Sequence, residues 1–395
     1  MARRLGFDAV RALRNSTGLG NYARGVLRGL RAAAPDDTFL LYSSRSAAPE
    51  FATFAASVRA EVRRGPGGTM GSAWWRTFRA GRQAAHDGIG LYHGLSHQLP
   101  RDLPGTGVRS VVTFHDLIYE RAPELFPAPD RLSYRWRYRW SARHADAIVA
   151  VSSSTRDDLV EWYGIDHSRI AVVPPACDPA FAIPVALADA ASTRKRLAIP
   201  DQYLLSVGTL ERRKNHAVLL AAIALLPAST PTLLLIGRDG GQRAKLAREI
   251  ERLGLTGRVR ILDNVPTSDL PALMQGALLF LYPSRLEGFG MPIVEAMAAG
   301  RAVVAADVAS LRDAAGRAAV VADPVHPSSW AAAIAALLAD PAARAQRQAL
   351  SRAHAACFDE VALARQLESI YDAVMAGIPL PARTLATEVA VETTH

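Results

Sequence analysis

Two glutamates eight residues apart, Glu287 and Glu295, bracket Gly288, Gly290 and Pro292 in the stretch LEGFGMPIVEAMAAG, residues 286–300. Carboxylates accept hydrogen bonds, and a pair at this spacing suits the hydroxyls of a sugar or a ribose. The glycines let the backbone approach a ligand closely. Pro292 suits a first helical turn and Gly300 a helix end. A helix starting there offers free N–H groups to an anion such as a diphosphate. Glu295 is expected in that first turn, too near a bound phosphate to hold phosphate itself and better placed for hydroxyls. The run ALLFLYP, residues 277–283, reads as a buried strand before the loop, and RAVVAAD, residues 301–307, as the strand after it. Strand, loop, helix and strand put both glutamates at the carboxyl end of a sheet, where open α/β sheets bind ligands. The plainer alternative is an ordinary strand–helix unit with two surface glutamates.

A second cluster lies in SVGTLERRKNHAVLL, residues 206–220, where Arg213 and Lys214 follow a strand and precede a helix. Two cations there can neutralise a diphosphate, the arginine as a planar fork and the lysine as a mobile point charge. A solvated basic turn is the alternative. In SVVTFHDLIY, residues 110–119, a strand ends on His115 and Asp116, a position suited to contact with sugar or phosphate. His93 in LYHGLSH ends another strand. Each histidine also reads as a hydrogen-bonded structural residue. TGLGNYAR, residues 17–24, contains G-x-G-x-x-A, the pattern of a dinucleotide site. It begins eight residues after its strand, and no acidic residue closes the second strand to hold a ribose, which argues against that use and against a dehydrogenase.

The 287–300 segment resembles the E-G-F-G-x-P-x-x-E-A-x-A-x-G signature of retaining glycosyltransferases of family 4, and matches it throughout. The resemblance implies an α/β protein of the GT-B fold, two Rossmann-like domains facing across a cleft. Residues 1–175 would form the acceptor domain, with 358–377 crossing back to it. Residues 176–200 would be a linker, 201–357 the donor domain and 378–395 a tail. It also implies roles. Glu295 holds ribose hydroxyls, Glu287 faces the transferred sugar, and Arg213 and Lys214 stabilise the departing diphosphate. His115 stands close to the sugar, with His93 and Asp116 on the acceptor side. Gly18, Gly20, Thr209, Gly237, Arg238, Gly288, Phe289 and Gly290 line the donor, and Val265 in LDNVP meets its base. Many members have arginine where Thr209 stands, which puts more weight on Arg213 and Lys214.

The activity implied is transfer of a hexose, mannose from GDP-mannose, to a glycan or lipid-linked acceptor in surface polysaccharide synthesis, with no metal or other cofactor. The T-L-x-x-R-K-N and F-H-D-L-I-Y segments carry the mannosyltransferase likeness. UDP-hexose, GDP-fucose and dTDP-rhamnose stay open as donors. A nucleotide-sugar epimerase and a non-catalytic sugar-binding scaffold are rival readings. The intact glutamate and basic pairs argue for retained chemistry.

The elements that must position these residues follow from pattern and size. A chain of 395 residues, half of it apolar, suits two domains. Strands are expected at Arg4–Val10, Thr38–Tyr42, Leu91–His93, Ser110–Thr113, Ala147–Val151 and Ile170–Val173. In the second half they are expected at Tyr203–Val207, Thr232–Ile236, Val259–Leu262, Ala277–Leu281, Val303–Ala305 and Ala319–Val321. Helical stretches alternate with them, which gives parallel sheets covered on both faces. Proline-rich 174–200 reads as the linker.

No apolar run is long enough to cross a membrane, and MARRLGFDAV starts as a strand rather than a secretion signal, so a cytoplasmic protein is expected. Cys177 and Cys357 read as free thiols. Residues 1–175 hold 24 Lys+Arg against 16 Asp+Glu, whereas 176–395 hold 22 against 21. The basic first half favours anionic partners, including a peripheral membrane surface, though coding bias toward arginine gives the same composition. No nucleic-acid module accompanies the charge. The helix RLSYRWRYRWSARH, residues 131–144, interleaves aromatics and arginines. It reads as a membrane or acceptor surface, or as a helix whose Trp136 and Trp140 face the core, the latter slightly preferred.

Overall fold

The strands that the pattern locates pair as two separate parallel sheets. The computed structural model describes residues 2–65 and 69–381. The chain divides into two units, one of Met1–Ala176 with the chain from Glu360 onward, the other of Cys177–Asp359.

The first unit holds β1 (Arg4–Asp8), β2 (Thr38–Ser43), β3 (Ala60–Arg64), β4 (Leu91–Gly94), β5 (Arg109–Phe114), β6 (Ala147–Ala150) and β7 (Ile170–Val172). Their order across the sheet is β3-β2-β1-β4-β5-β6-β7, so the direction of winding reverses between β1 and β4. Register is set by apolar runs such as Phe39–Tyr42, wholly buried beside β1 with Leu5 opposite Phe39. Such runs are typical of parallel strands covered on both faces.

The second unit holds β8 (Tyr203–Val207), β9 (Thr232–Ile236), β10 (Val259–Leu262), β11 (Leu279–Tyr282), β12 (Ala302–Ala306) and β13 (Val320–Ala322). Their order is β10-β9-β8-β11-β12-β13, with the reversal between β8 and β11. A reversal opens a crevice at the strand carboxyl ends, because the two following loops leave on opposite faces.

The helix Glu360–Ala376 lies against the helix Gly18–Ala33 inside the first unit. A Cβ on Gly29 would come 2.4 Å from the Glu360 carbonyl oxygen, so the two backbones touch there. Arg28 Nε donates to Glu360 at 3.2 Å, and Arg3 reaches both Asp37 at 2.7 Å and Asp372 at 2.9 Å. The unit therefore takes up its last helix from Glu360 onward. Phe358 remains in the second unit, stacked edge-on to Phe289.

Three elements depart from the sequence pattern. β3, AEVRR, is a half-exposed edge strand with too few apolar residues to read as one. The expected linker contains a helix, Leu187–Arg196, which packs on the helix Leu270–Gly276 of the second unit. Its alanines and polar residues give little periodicity because Thr193 alone is buried, so no apolar stripe is needed. The stretch 72–86 is two helices, Thr69–Phe78 and Ala80–His86, interrupted at Arg79. Most of the expected tail, 382–395, lies outside the described residues. Among the described residues no helix is long and apolar enough to cross a membrane. Cys177 and Cys357 are not in a disulfide.

Candidate active site

The second unit gathers its chemistry at the reversal between β8 and β11. The loop after β8 carries Thr209, Glu211, Arg213 and Lys214, and the loop after β11 carries Ser284, Glu287, Gly288 and Gly290. Glu287 is the centre of the cluster. Arg213 Nη1 donates to its Oε2 at 2.8 Å, and Lys214 Nζ pairs with its Oε1. Tyr282 OH donates to Oε1 at 2.9 Å, and Ser284 Oγ to the same oxygen at 2.6 Å. Lys214 Nζ also donates to Tyr282 OH at 2.8 Å, and Arg213 Nη2 pairs with Glu211 at 2.7 Å.

The Glu287 side chain is only 10% exposed. Burial pushes its carboxyl up, but Lys214 and Arg213 outweigh burial and hold it at about 2. Burial likewise opposes charge on Arg213, and the facing Glu287 and Glu211 carboxylates raise its pKa in spite of it.

The helix Met291–Ala298 starts from Gly290, whose φ of +105° is a left-handed value that L side chains rarely adopt, with Pro292 in its first turn. Glu295 is the fifth helical residue, one residue further in than the sequence suggests, because Met291 already belongs to the helix. It keeps some surface yet sits deep among its neighbours. Burial, with Asp178 nearby, raises its carboxyl to about 7. Glu287 and Glu295 are thus driven in opposite directions, one held ionised by cations and the other biased toward its proton.

Several expected donor contacts have another cause in the structure. Phe289 is buried edge-on against Phe358, with ring centroids 5.6 Å apart, so it is a core residue rather than a donor contact. A Cβ on Gly237 would fall 1.9 Å from the Gly208 carbonyl oxygen, so glycine there lets the loops after β8 and β9 touch. Arg238 is exposed, and Thr209 and Val265 are partly exposed. Tyr282, Ser284 and Glu211 escaped the sequence reading. The available signal was a hydroxyl at the last residue of an otherwise apolar strand.

The first unit gathers three histidines near its own reversal. His115, at the end of β5, is buried, and its Nε2 lies 2.9 Å from the Leu95 carbonyl oxygen. Tyr22 stands edge-on to its ring at 4.6 Å between centroids. Asp116 is partly buried and its Oδ1 accepts from the Ile118 N–H at 3.2 Å, which opens the short helix Ile118–Arg121. His93 is fully buried, with Nδ1 2.6 Å from Tyr371 OH and Nε2 2.8 Å from Thr113 Oγ1. Both of its ring nitrogens are taken by protein groups, which removes it from the acceptor side and makes it a structural residue.

His97, which the sequence reading passed over, lies beside His115 with ring centroids 5.2 Å apart. Burial lowers all three histidines to about 3, so they are neutral at pH 7. Gly18 begins its helix in open space, whereas a Cβ on Gly20 would come 1.7 Å from the Asn15 carbonyl oxygen. Gly20 is therefore required by a backbone contact. Among the described residues no group of three His, Cys, Asp or Glu stands ready to hold a metal ion.

The helix Ala128–His144 turns Tyr134 and Tyr138 toward the core and leaves Leu132 66% and Trp136 54% exposed. The preferred reading of Trp136 as a core residue is overturned. Tyrosines fill the core face, and only Trp140 of the two tryptophans packs partly against it.

Comparison with known proteins agrees with this layout. Residues 16–181 match the model for Glycosyltransferase Family 4, and residues 189–354 that for Glycosyl transferases group 1. O-antigen chain mannosyltransferase B of Escherichia coli is 37% identical over 239 residues, 59% of this chain and 61% of that protein. D-inositol 3-phosphate glycosyltransferase of Corynebacterium diphtheriae is 33% identical over 247 residues, 60% of this chain and 58% of that protein. The chain thus spans about three fifths of the length of these relatives. The crystal structure of Anabaena Alr3699/HepE with UDP-glucose superposes with a TM-score of 0.72 at 20% identity, covering 94% of this chain and 100% of that one. Sucrose-phosphate synthase from Thermosynechococcus elongatus gives 0.73 at 21% identity, covering 95% and 100%. These structures share the fold, two parallel-sheet Rossmann-like halves of the GT-B type. With one family model lying on each half, the chain belongs to the family 4, group 1 glycosyltransferases.

Proposed function

We propose that the protein is a retaining hexosyltransferase that moves mannose from GDP-mannose to a glycan or lipid-linked acceptor in polysaccharide synthesis. The observation that carries this reading is the Arg213–Lys214–Glu287 cluster at the reversal of the second sheet, with Glu295 on the helix that follows. Two cations at that position suit the diphosphate of a nucleotide sugar, and charge already fixed in place opposite a leaving group lowers the barrier more than any other aid such a site can supply. Glu295 accepts from the ribose hydroxyls. In the first unit taken by itself, Gly18 and the turn at His115 and Asp116 are the candidates for contact with substrate.

In the reaction the bond from the anomeric carbon to the diphosphate breaks as the acceptor oxygen bonds on the same face. The departing phosphate oxygen takes the acceptor's proton. Arg213 and Lys214 hold the charge that develops on the diphosphate, so no divalent ion is needed for that step. The mannosyltransferase relatives favour a mannose donor, and the UDP-glucose complex of a fold neighbour keeps UDP donors as the alternative.

The exposed Leu132/Trp136 face belongs to the same reading. Leu132, Trp136, Trp140 and His144 recur every fourth residue, and Arg131, Arg135, Arg139 and Arg143 form the adjoining row. An anionic lipid surface fits an apolar stripe flanked by arginines, and would bring a lipid-linked acceptor to the enzyme as a peripheral protein.

Thermal shift with GDP, GDP-mannose, UDP and UDP-glucose, without metal, tests the donor site in wild type and Glu295→Ala. Ligands of the folded state raise the melting temperature by mass action. Stabilisation by GDP and GDP-mannose that falls in the variant supports the reading. Stabilisation by UDP ligands alone keeps the transferase and overturns the donor. No shift with any of them overturns the donor site.

A further inference from the structure

We propose that His97 is the positioning residue for His115: one ring nitrogen of His97 takes both backbone N–H groups of the 115–116 turn and so fixes where the His115 ring stands. This rests on the reading above, in which that turn touches substrate.

Four geometric observations converge on it. His97 Nε2 accepts from the His115 N–H at 3.1 Å and from the Asp116 N–H at 3.4 Å. A ring nitrogen that receives two donors carries a lone pair, so the proton of neutral His97 is on Nδ1. The residue is held in a left-handed backbone conformation, φ +59°, which is uncommon for residues other than glycine and which histidine adopts more readily than most. Its own N–H donates to the Thr113 carbonyl at 2.8 Å, tying the residue to β5 just before the turn that it grips. Its ring is fixed as well, stacked on Tyr138 at 4.8 Å and edge-on to Phe114 at 5.3 Å between centroids. Burial keeps the ring neutral, and protonation would abolish the acceptor.

The consequence falls on His115. Leu95, two residues before His97 on the same loop, accepts from the His115 ring through its carbonyl. The loop after β4 therefore holds His115 twice, by its backbone through His97 and by its ring through Leu95. With its proton committed to Leu95, the neutral His115 ring has Nδ1 as its acceptor, the role a sugar hydroxyl requires. His115 is in this account the residue that touches substrate, and His97 acts only through it. An ordinary core histidine would owe its place to packing alone and would be replaceable by phenylalanine.

The test separates acceptor from packing. His97→Phe keeps an aromatic ring against Tyr138 and has no acceptor. His97→Gln keeps an acceptor near the Nε2 position. GDP release from GDP-mannose is measured for both, alone and in a His115→Ala background. His97→Phe is expected to lower kcat about 100-fold with donor KM changed less than about threefold, the size of effect that a small misplacement produces. His97→Gln recovers most of the loss. With His115 already removed, His97→Phe costs less than about threefold, because residues that act as a unit are not additive. An equal loss in both backgrounds overturns the proposal, as does glutamine no better than phenylalanine when both variants fold.

Ring nitrogen NMR on the wild type provides a second arm that needs neither variant nor turnover. The Nδ1–H tautomer at His97 from pH 5 to 8 is expected, and an Nε2–H or charged ring overturns the proposal. If the wild type releases neither GDP from GDP-mannose nor UDP from UDP-glucose, the transferase reading fails, and the tautomer still decides the role of His97.

Discussion

Lys214 and Glu287 are bonded to each other, and Tyr282 OH is bonded to both. The cation assigned to the leaving group and the carboxylate assigned to the sugar thus form one buried unit. Glu287 spends one oxygen on Lys214, Tyr282 and Ser284 and the other on Arg213. Its first effect is to hold both cations in place.

Removing both partners is therefore expected to cost less than the two single losses added together. Glu287→Gln leaves Lys214 and Arg213 buried with less compensation, and breaking a buried pair costs about 3–5 kcal/mol. Lys214→Met alone strands part of the Glu287 charge. The double variant is expected to be destabilised by about 1–3 kcal/mol less than the sum of the two. Urea unfolding of the four proteins measures the coupling, and additive losses would show that the contact is energetically idle. The pH dependence has a fixed sign. Glu287 titrates at about 2 in the fold against 4.5 as its ordinary value. Its contribution is therefore present above 4.5 and is lost as pH falls toward 2.

Glu295 has the opposite sign. Its carboxyl titrates at about 7 in the fold against 4.5 ordinarily. The native state binds more protons than the unfolded state across that window. Its contribution is full below 4.5 and is lost as pH rises through 7, by up to about 3 kcal/mol. Glu295→Gln is therefore expected to be more stable than wild type at pH 8 and no more stable at pH 5. In the proposed reading ribose hydroxyls donate to the ionised form, so nucleotide binding at pH 6.5 should release about three quarters of a proton. Calorimetry of GDP binding in buffers of different ionisation heat reads that proton directly. Equal uncorrected heats in all the buffers would mean no proton is released and would remove Glu295 from the ribose.

The signature segment was legible because each step of it is local. A strand, two glycines, a proline and a helix end each have their own residue chemistry, and β8, β9 and β10 stand where the apolar runs place them. What pattern could not supply was partnership. Glu287 reads as a free carboxylate until Tyr282 and Ser284 are seen beneath it, and His93 reads as a ligand until Tyr371, 278 residues away, is found on its ring. Trp136 fits a core stripe by spacing, but Tyr134 and Tyr138 had already filled that face. β3 and the helix Leu187–Arg196 were missed because hardly any of their residues are buried, so neither carries an apolar period.

Two glycines assigned to the donor should behave differently. A Cβ on Gly237 meets the Gly208 carbonyl oxygen at 1.9 Å, whereas one on Gly18 meets nothing within 4 Å. Gly237→Ala must push two loops apart and is expected to cost about 1–3 kcal/mol with or without nucleotide. Gly18→Ala, in the first turn of a helix, should leave stability unchanged or raise it by up to about 1 kcal/mol. Any loss of turnover in Gly18→Ala then reports contact with substrate. Thermal melts of both variants with and without GDP separate the two causes, and an unaltered melt for Gly237→Ala would contradict the packing account.

The arginine–aromatic face makes a prediction that does not depend on the reaction. Arg101 lies over Trp136 at 3.4 Å and over Trp140 at 5.0 Å, and Trp140 is stacked on His144 at 4.4 Å. The tryptophan faces are thus partly covered by protein groups, which leaves less room for a sugar to stack and turns apolar edges outward. Leu132 and Trp136 can enter the headgroup region while the arginines meet phosphates, each worth about 1 kcal/mol near an anionic surface. Arg135 is held back by its pair with buried Glu120. Wild type is expected to sediment with phosphatidylglycerol vesicles and to stay in solution with phosphatidylcholine. Leu132→Ser with Trp136→Ser should weaken binding roughly tenfold or more, since both lose apolar area from the contact. Charge alone would instead leave that variant bound and lose binding in Arg139→Gln with Arg143→Gln. Binding unaffected by either pair would place the membrane contact elsewhere on the chain.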